Sequence, residues 1–181
     1  MNFNRAVKFA LTAVAVLWGV HALNLFLPID LRYFGIQPRR MDGLVGIVAA
    51  PFLHGDLNHL IANSSALLVL LAVALAYNRK MAFAALATII VLGGLMVWIF
   101  GSASAIHIGA SGVVFGLIGY LLFVGIFRRE WIALIVSAVV LLLYGGALLS
   151  LLRIIPGVSW SSHFFGFMAG VAAAWSTRGK K

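Results

Sequence analysis

The side chains able to do chemistry are few in this chain. Ser111 sits near the start of the apolar stretch "HIGASGVVFGLIGYLL", His163 stands in "SHFFGFMAG", and "HGDLNHLIAN" carries His54, His59 and Asn63. A serine hydroxyl becomes a competent nucleophile when a neighbouring base takes its proton, and histidine is the usual base. Ser111 and His163 are therefore a candidate dyad. Other hydrolytic inventories fail: no HExxH occurs, cysteine is absent, and Asp30, Asp42, Asp56 and Glu130 all lie outside the apolar runs. No metal or cofactor is expected. No buried carboxylate is at hand to orient His163, so ring packing, with Phe115 the candidate, would have to replace the third member of a triad.

The elements that must position these groups are membrane spans. Of 181 residues 64% are hydrophobic and 9% charged, and the mean hydropathy is +1.11, far from a soluble domain. Runs able to cross about 30 Å of hydrocarbon fall at 7–27, 59–77, 81–100, 111–127, 131–152 and 160–177. The expected fold is an all-α membrane bundle of six transmembrane helices, one domain over 1–181. The first run is long and lacks a small-residue cleavage site, so it reads as a retained span. Arg5, Lys8, Arg79, Lys80, Arg128, Arg129, Arg178, Lys180 and Lys181 mark one side against Arg32, Arg39, Arg40 and Arg153 on the other. Both termini are then cytoplasmic. The net charge of +9 reflects that bias and a tail facing anionic lipid, and gives no ground for a nucleic-acid partner. Between the first two spans lies a long external loop whose centre, Met41 to Ala50, suits a short interfacial helix.

Counted outward from the cytoplasmic charges at about 1.5 Å per residue, Ser111, His163 and Asn63 all fall at about 22 to 24 Å. Three helices thus bring a polar group to one depth, several ångströms beneath the outer surface, with His59 one turn further out. Polar groups at membrane depth are costly and mark function. Gly112 and Gly116, and Gly166 and Gly170, are small-xxx-small pairs that let two helices approach closely, which would bring Ser111 toward His163. The segment Gly101 to Ala110 would enter the membrane as irregular backbone, tolerated only where protein or a wet cavity satisfies it. Ser111 would then lie at a helix N-terminus whose free N–H groups favour developing negative charge.

The motifs His-x4-His-x3-Asn, Gly-x-Ser-Gly and His-x2-Gly-x3-Gly, in this order, resemble the rhomboid family of intramembrane serine proteases, a resemblance that covers nearly the whole chain. It implies a Ser111–His163 dyad cleaving single-span transmembrane substrates near their outer ends, in a multi-pass protein of the bacterial inner (plasma) membrane. It also implies oxyanion stabilisation by His59 and Asn63, and an accessory loop histidine at His54. Phe115 stands where many members have tyrosine, no Trp-Arg pair occurs in the first loop, and there is no soluble cytoplasmic domain.

Blander roles compete for several residues. His21 and His107 have no motif partner, which points to packing or loop hydrogen bonding, and Trp98, Trp131, Trp160 and Trp175 suit an aromatic belt. The fifth run carries none of the polar candidates. With Gly145-Gly146 and the loop 153–159 it is the natural lateral gate. The alternative function is a catalytically inactive rhomboid-like protein that binds membrane helices. A channel is disfavoured because the inner halves of the second, fourth and sixth runs are almost wholly apolar. The natural substrate and the oligomeric state are not legible.

Overall fold

The computed structural model describes residues 2–153 and 158–179. The main helices are α1 (Phe3–Phe26), α2 (Leu57–Tyr77), α3 (Arg79–Phe100), α4 (Ser111–Arg128), α5 (Trp131–Leu148) and α6 (Trp160–Ser176). The first five, α5 counted with a following 3-10 turn to Leu152, are long and apolar enough to cross a bilayer. The sixth expected span, α6, has 17 residues, about 25 Å of rise, the short end of what a membrane requires. Polar side chains start four of the helices: Asn2, Asp56, Asn78 and Ser159 accept N–H bonds at α1, α2, α3 and α6. Inside α3 the chain widens into a π turn at Ile89–Gly93.

α4 is the hub of the bundle. Leu117, Ile118, Tyr120, Leu121 and Val124 are fully buried on it, against Leu60, Leu70 and Leu75 of α2. Lipid is as apolar as these side chains, so close packing rather than water exclusion draws the helices together. Glycine makes the tightest contact possible. A Cβ on Gly166 would strike the Gly112 carbonyl, and one on Gly170 the Gly116 carbonyl. Of the partner glycines, Gly112 also faces α6, at the Ser162 carbonyl, whereas Gly116 faces Ile89 of the π turn. The expected glycine contact therefore joins α4 to α6, and Gly116 opens room for α3 as well.

The loop before α2 packs as a wall. Its centre is helical from Asp42 to Phe52 through 3-10 and single-turn pieces, and Gly43 and Gly46 lie against the backbone of Gln37 and of Gly35 and Ile36. Arg39, at φ 61°, fastens it to the end of α3: its guanidinium donates to the Ile99 and Gly101 carbonyls at 2.8 and 2.9 Å, while Trp98 Nε1 returns a bond to the Arg40 carbonyl at 2.8 Å. At the opposite end Tyr77 and Arg128 both bond Glu130, and Arg128 reaches the Thr177 carbonyl. The ends of α2, α4 and α6 and the start of α5 are thereby joined.

Candidate active site

Ser111 is placed by the irregular segment that precedes it. His107 and Ile36 exchange backbone hydrogen bonds of 2.9 Å, and the Gly109 N–H donates to the Ala50 carbonyl at 2.9 Å, so the loop wall satisfies this backbone within the protein. Gly109 has φ +109°, and a Cβ there would lie 2.6 Å from the His59 ring. Only glycine meets both demands. The chain then turns into α4 with Ser111 as its first residue and Ala110 as N-cap, with no side-chain cap. Its first N–H groups are left for whatever occupies the space in front of Ser111.

That space is a cavity of about 1230 Å³ lined by His59, Asn63, Ser111, Phe115 and His163, among others. Ala62 and Ala66 of α2 and Ala147 of α5 also line it, so the cavity extends sideways between those two helices. His163 is buried and lies flat on Phe115, with ring centroids 4.1 Å apart and planes at 13°. Phe115 is one turn beyond Ser111 on the same helix. Its ring thus holds the imidazole against the helix that carries the serine. The two polar groups share the cavity without a direct hydrogen bond between them among the described residues, a spacing that commonly tightens when substrate binds.

Asn63 is 5% exposed, and its Nδ2 has no hydrogen-bond partner. A buried amide donor left unmatched costs about 1–3 kcal/mol, and this one borders the cavity in front of Ser111. His59 stands beside it, packed over Gly109 and edge-on to His54 at 5.1 Å. His54 does not line the cavity. It is 3% exposed and accepts the Ala110 N–H through Nε2 at 3.4 Å. Burial, helped by neighbouring His59 and His21, lowers its pKa to about 4, so the ring stays neutral and able to accept. His21, on α1, has an unpartnered buried Nδ1.

One position and one pairing escaped the sequence reading. Gly109 was visible only as part of a motif; its role rests on a positive φ that the string does not encode. His107 makes hydrogen bonds within the loops, one of the two roles expected of it, but its partner, the Ser159 hydroxyl that caps α6, had no signal in the isolated histidine. Among the described residues no group of three or more His, Asp or Glu side chains is arranged to hold a metal ion. The loop expected to move with α5 lies partly outside the described residues, at 154–157.

An uncharacterized protein of Mycobacterium tuberculosis and one of Mycobacterium bovis are each 40% identical over 174 residues, covering 91% of this chain and 72% of theirs. One of Mycobacterium leprae is 37% identical over 175 residues, covering 91% and 68%. No solved structure matches. The profile of the rhomboid domain matches residues 42–180, from the loop wall to beyond α6. The chain belongs to the rhomboid family.

Proposed function

We propose that the protein is an intramembrane serine endopeptidase. Six crossings with both termini in the cytoplasm, forming one domain in a bacterial inner membrane, would put the cavity near the outer face. A transmembrane substrate enters between α2 and α5 and unwinds locally, because a helical peptide bond hides its carbonyl from attack. Ser111 Oγ adds to that carbonyl while His163 takes the hydroxyl proton. His163 returns the proton to the leaving amine, leaving an acyl-enzyme. Water from the cavity then attacks the ester by the reverse use of the same base. The oxyanion of each tetrahedral intermediate is met by the Ser111 N–H at the uncapped start of α4, by Asn63 Nδ2 and by His59.

The observation that carries this reading is the unpartnered Asn63 Nδ2 in the cavity beside an uncapped helix start and a serine. These are donors in place before the negative charge they would stabilise. A fluorophosphonate probe tests it: Ser111 should be labelled in the folded protein, Ser111→Ala should not, and only the former should cleave a transmembrane substrate in liposomes. Absence of labelling in folded wild-type protein would favour the helix-binding, inactive alternative.

A further inference from the structure

His107 takes no part in the chemistry above, yet it is the one histidine with both ring nitrogens bonded among the described residues. It is 5% exposed, with Nδ1 2.6 Å from Ser159 Oγ and Nε2 3.2 Å from the Ser102 carbonyl. A carbonyl oxygen only accepts, so Nε2 carries the proton and Nδ1 presents a lone pair, to which the Ser159 hydroxyl donates. Ser159 Oγ in turn accepts the Ser162 N–H at 3.2 Å, the cap of α6, and the Ser162 hydroxyl at 2.6 Å. The backbone of His107 is itself fixed to Ile36.

The ring therefore joins two segments that matter. Four residues after His107 comes Ser111, and four residues after Ser159 comes His163. No carboxylate and no direct hydrogen bond sets the distance between that serine and that histidine. We propose that His107 is a positioning residue: through Ser159 it fixes the start of α6 relative to the start of α4, and so the separation of Ser111 Oγ from the His163 ring. This rests on the serine-protease reading. Small displacements of reacting groups are expensive, with about 1 Å costing up to about 10²-fold in rate.

The test compares two near-isosteric replacements in the full-length protein. Asparagine carries its amide where Nδ1 lies and can still accept the Ser159 hydroxyl; glutamine carries it near Nε2 and retains only the bond to Ser102. Read as the rate of fluorophosphonate labelling of Ser111 per monodisperse molecule, His107→Gln should be slower by about 10- to 10²-fold. His107→Asn, which loses one neutral hydrogen bond, should stay within about threefold of wild type. On a transmembrane substrate His107→Gln should lower kcat and leave KM unchanged. Ser159→Ala, which leaves His107 in place, should slow labelling as His107→Gln does, and the double variant should be no slower. It carries the same expectation where His107→Gln does not fold. A purely structural role would lower thermal stability in these variants while the labelling rate per folded molecule stayed at the wild-type value, and that result would overturn the proposal. Failure of Ser111 to be labelled in folded wild type would instead overturn the protease reading, and this one with it.

Discussion

Removing the Phe115 ring should loosen the base without touching the nucleophile. His163 has no carboxylate partner, and the face-to-face contact at 4.1 Å and 13° is what holds its plane. A stacked pair of this kind contributes about 0.5–1.5 kcal/mol beyond simple burial. If that energy is what favours the productive ring orientation, its loss dilutes that orientation by about 2- to 12-fold, since 1.36 kcal/mol is tenfold. Phe115→Leu should therefore lower kcat on a transmembrane substrate in liposomes by that factor, with KM unchanged and the fluorophosphonate rate falling in parallel. Phe115→Tyr retains the ring and can direct its hydroxyl into the cavity that Phe115 lines, so its kcat should remain within about twofold of wild type. A folded Phe115→Leu protein with wild-type kcat and labelling rate would refute the claim that the stack orients His163.

Ser111→Ala and His163→Ala should each abolish turnover, with the double variant no worse, whereas Asn63→Ala should reduce kcat by up to about 10²- to 10³-fold at nearly constant KM; a silent Asn63→Ala would remove only the oxyanion assignment. Gly166→Val should prevent folding, because its Cβ would strike the Gly112 carbonyl, while Gly146→Ala, with nothing within 4 Å of the added carbon, should raise stability by about 0.5–1 kcal/mol; thermal unfolding in detergent reads both. His54 ionises at about 4 in the fold against an ordinary 6.5, so the unfolded chain binds more protons between those values and stability should fall as pH drops from about 6.5 to 4. His54→Gln should flatten that slope in a series of Tm measurements, and an unchanged slope would refute the assignment. A disulfide introduced between α2 and α5 near Ala66 and Ala147, which line one cavity, should stop cleavage of a transmembrane substrate; full activity in the cross-linked protein would rule out entry between these helices.

Much of the site was readable because it is written in helical periods. The start of α4 at Ser111 and the closeness of α4 to α6 follow from counting along apolar runs and spacing glycines, and Ser111, Asn63 and His163, counted to a similar level, line one cavity. Phe115 as the partner of His163 was legible from the shortage of acids, which left packing as the means of orientation. Periodicity stops short of the rotation of one helix about its own axis relative to the next. That is why Gly116, read as a contact with α6, also turns out to face Ile89. Loops are harder still. The φ of +109° at Gly109 and of 61° at Arg39 are imposed by what the backbone packs against. The His107–Ser159 bond joins residues 52 apart, and no local pattern announces such a pair. The π turn of α3 is likewise invisible in a uniformly apolar run.

α5 has the mechanics of a beam clamped at one end and only partly supported beyond it, where Tyr144 and Leu148 still pack against the core. Glu130, Ala133, Ser137 and Val140 fix its first half: Ala133 is fully buried, and Ser137 Oγ donates to the Leu121 carbonyl of α4 at 2.8 Å. Beyond them Leu142 is 85% and Leu152 81% exposed, and a Cβ added at Gly146 would meet nothing within 4 Å. Among the described residues, Trp160 Nε1 ties this far end to α6 by donating to the Leu151 carbonyl at 2.8 Å, a catch worth about 0.5–1.5 kcal/mol net. From Val140 to Leu152 the beam is about 18 Å long, so a tilt of about 15° at the clamp swings its tip by about 5 Å. Thermal energy and the sideways pressure of lipid chains act on the same lever. Under the proposed entry of substrate between α2 and α5, the width of that opening would belong as much to the bilayer as to the polypeptide.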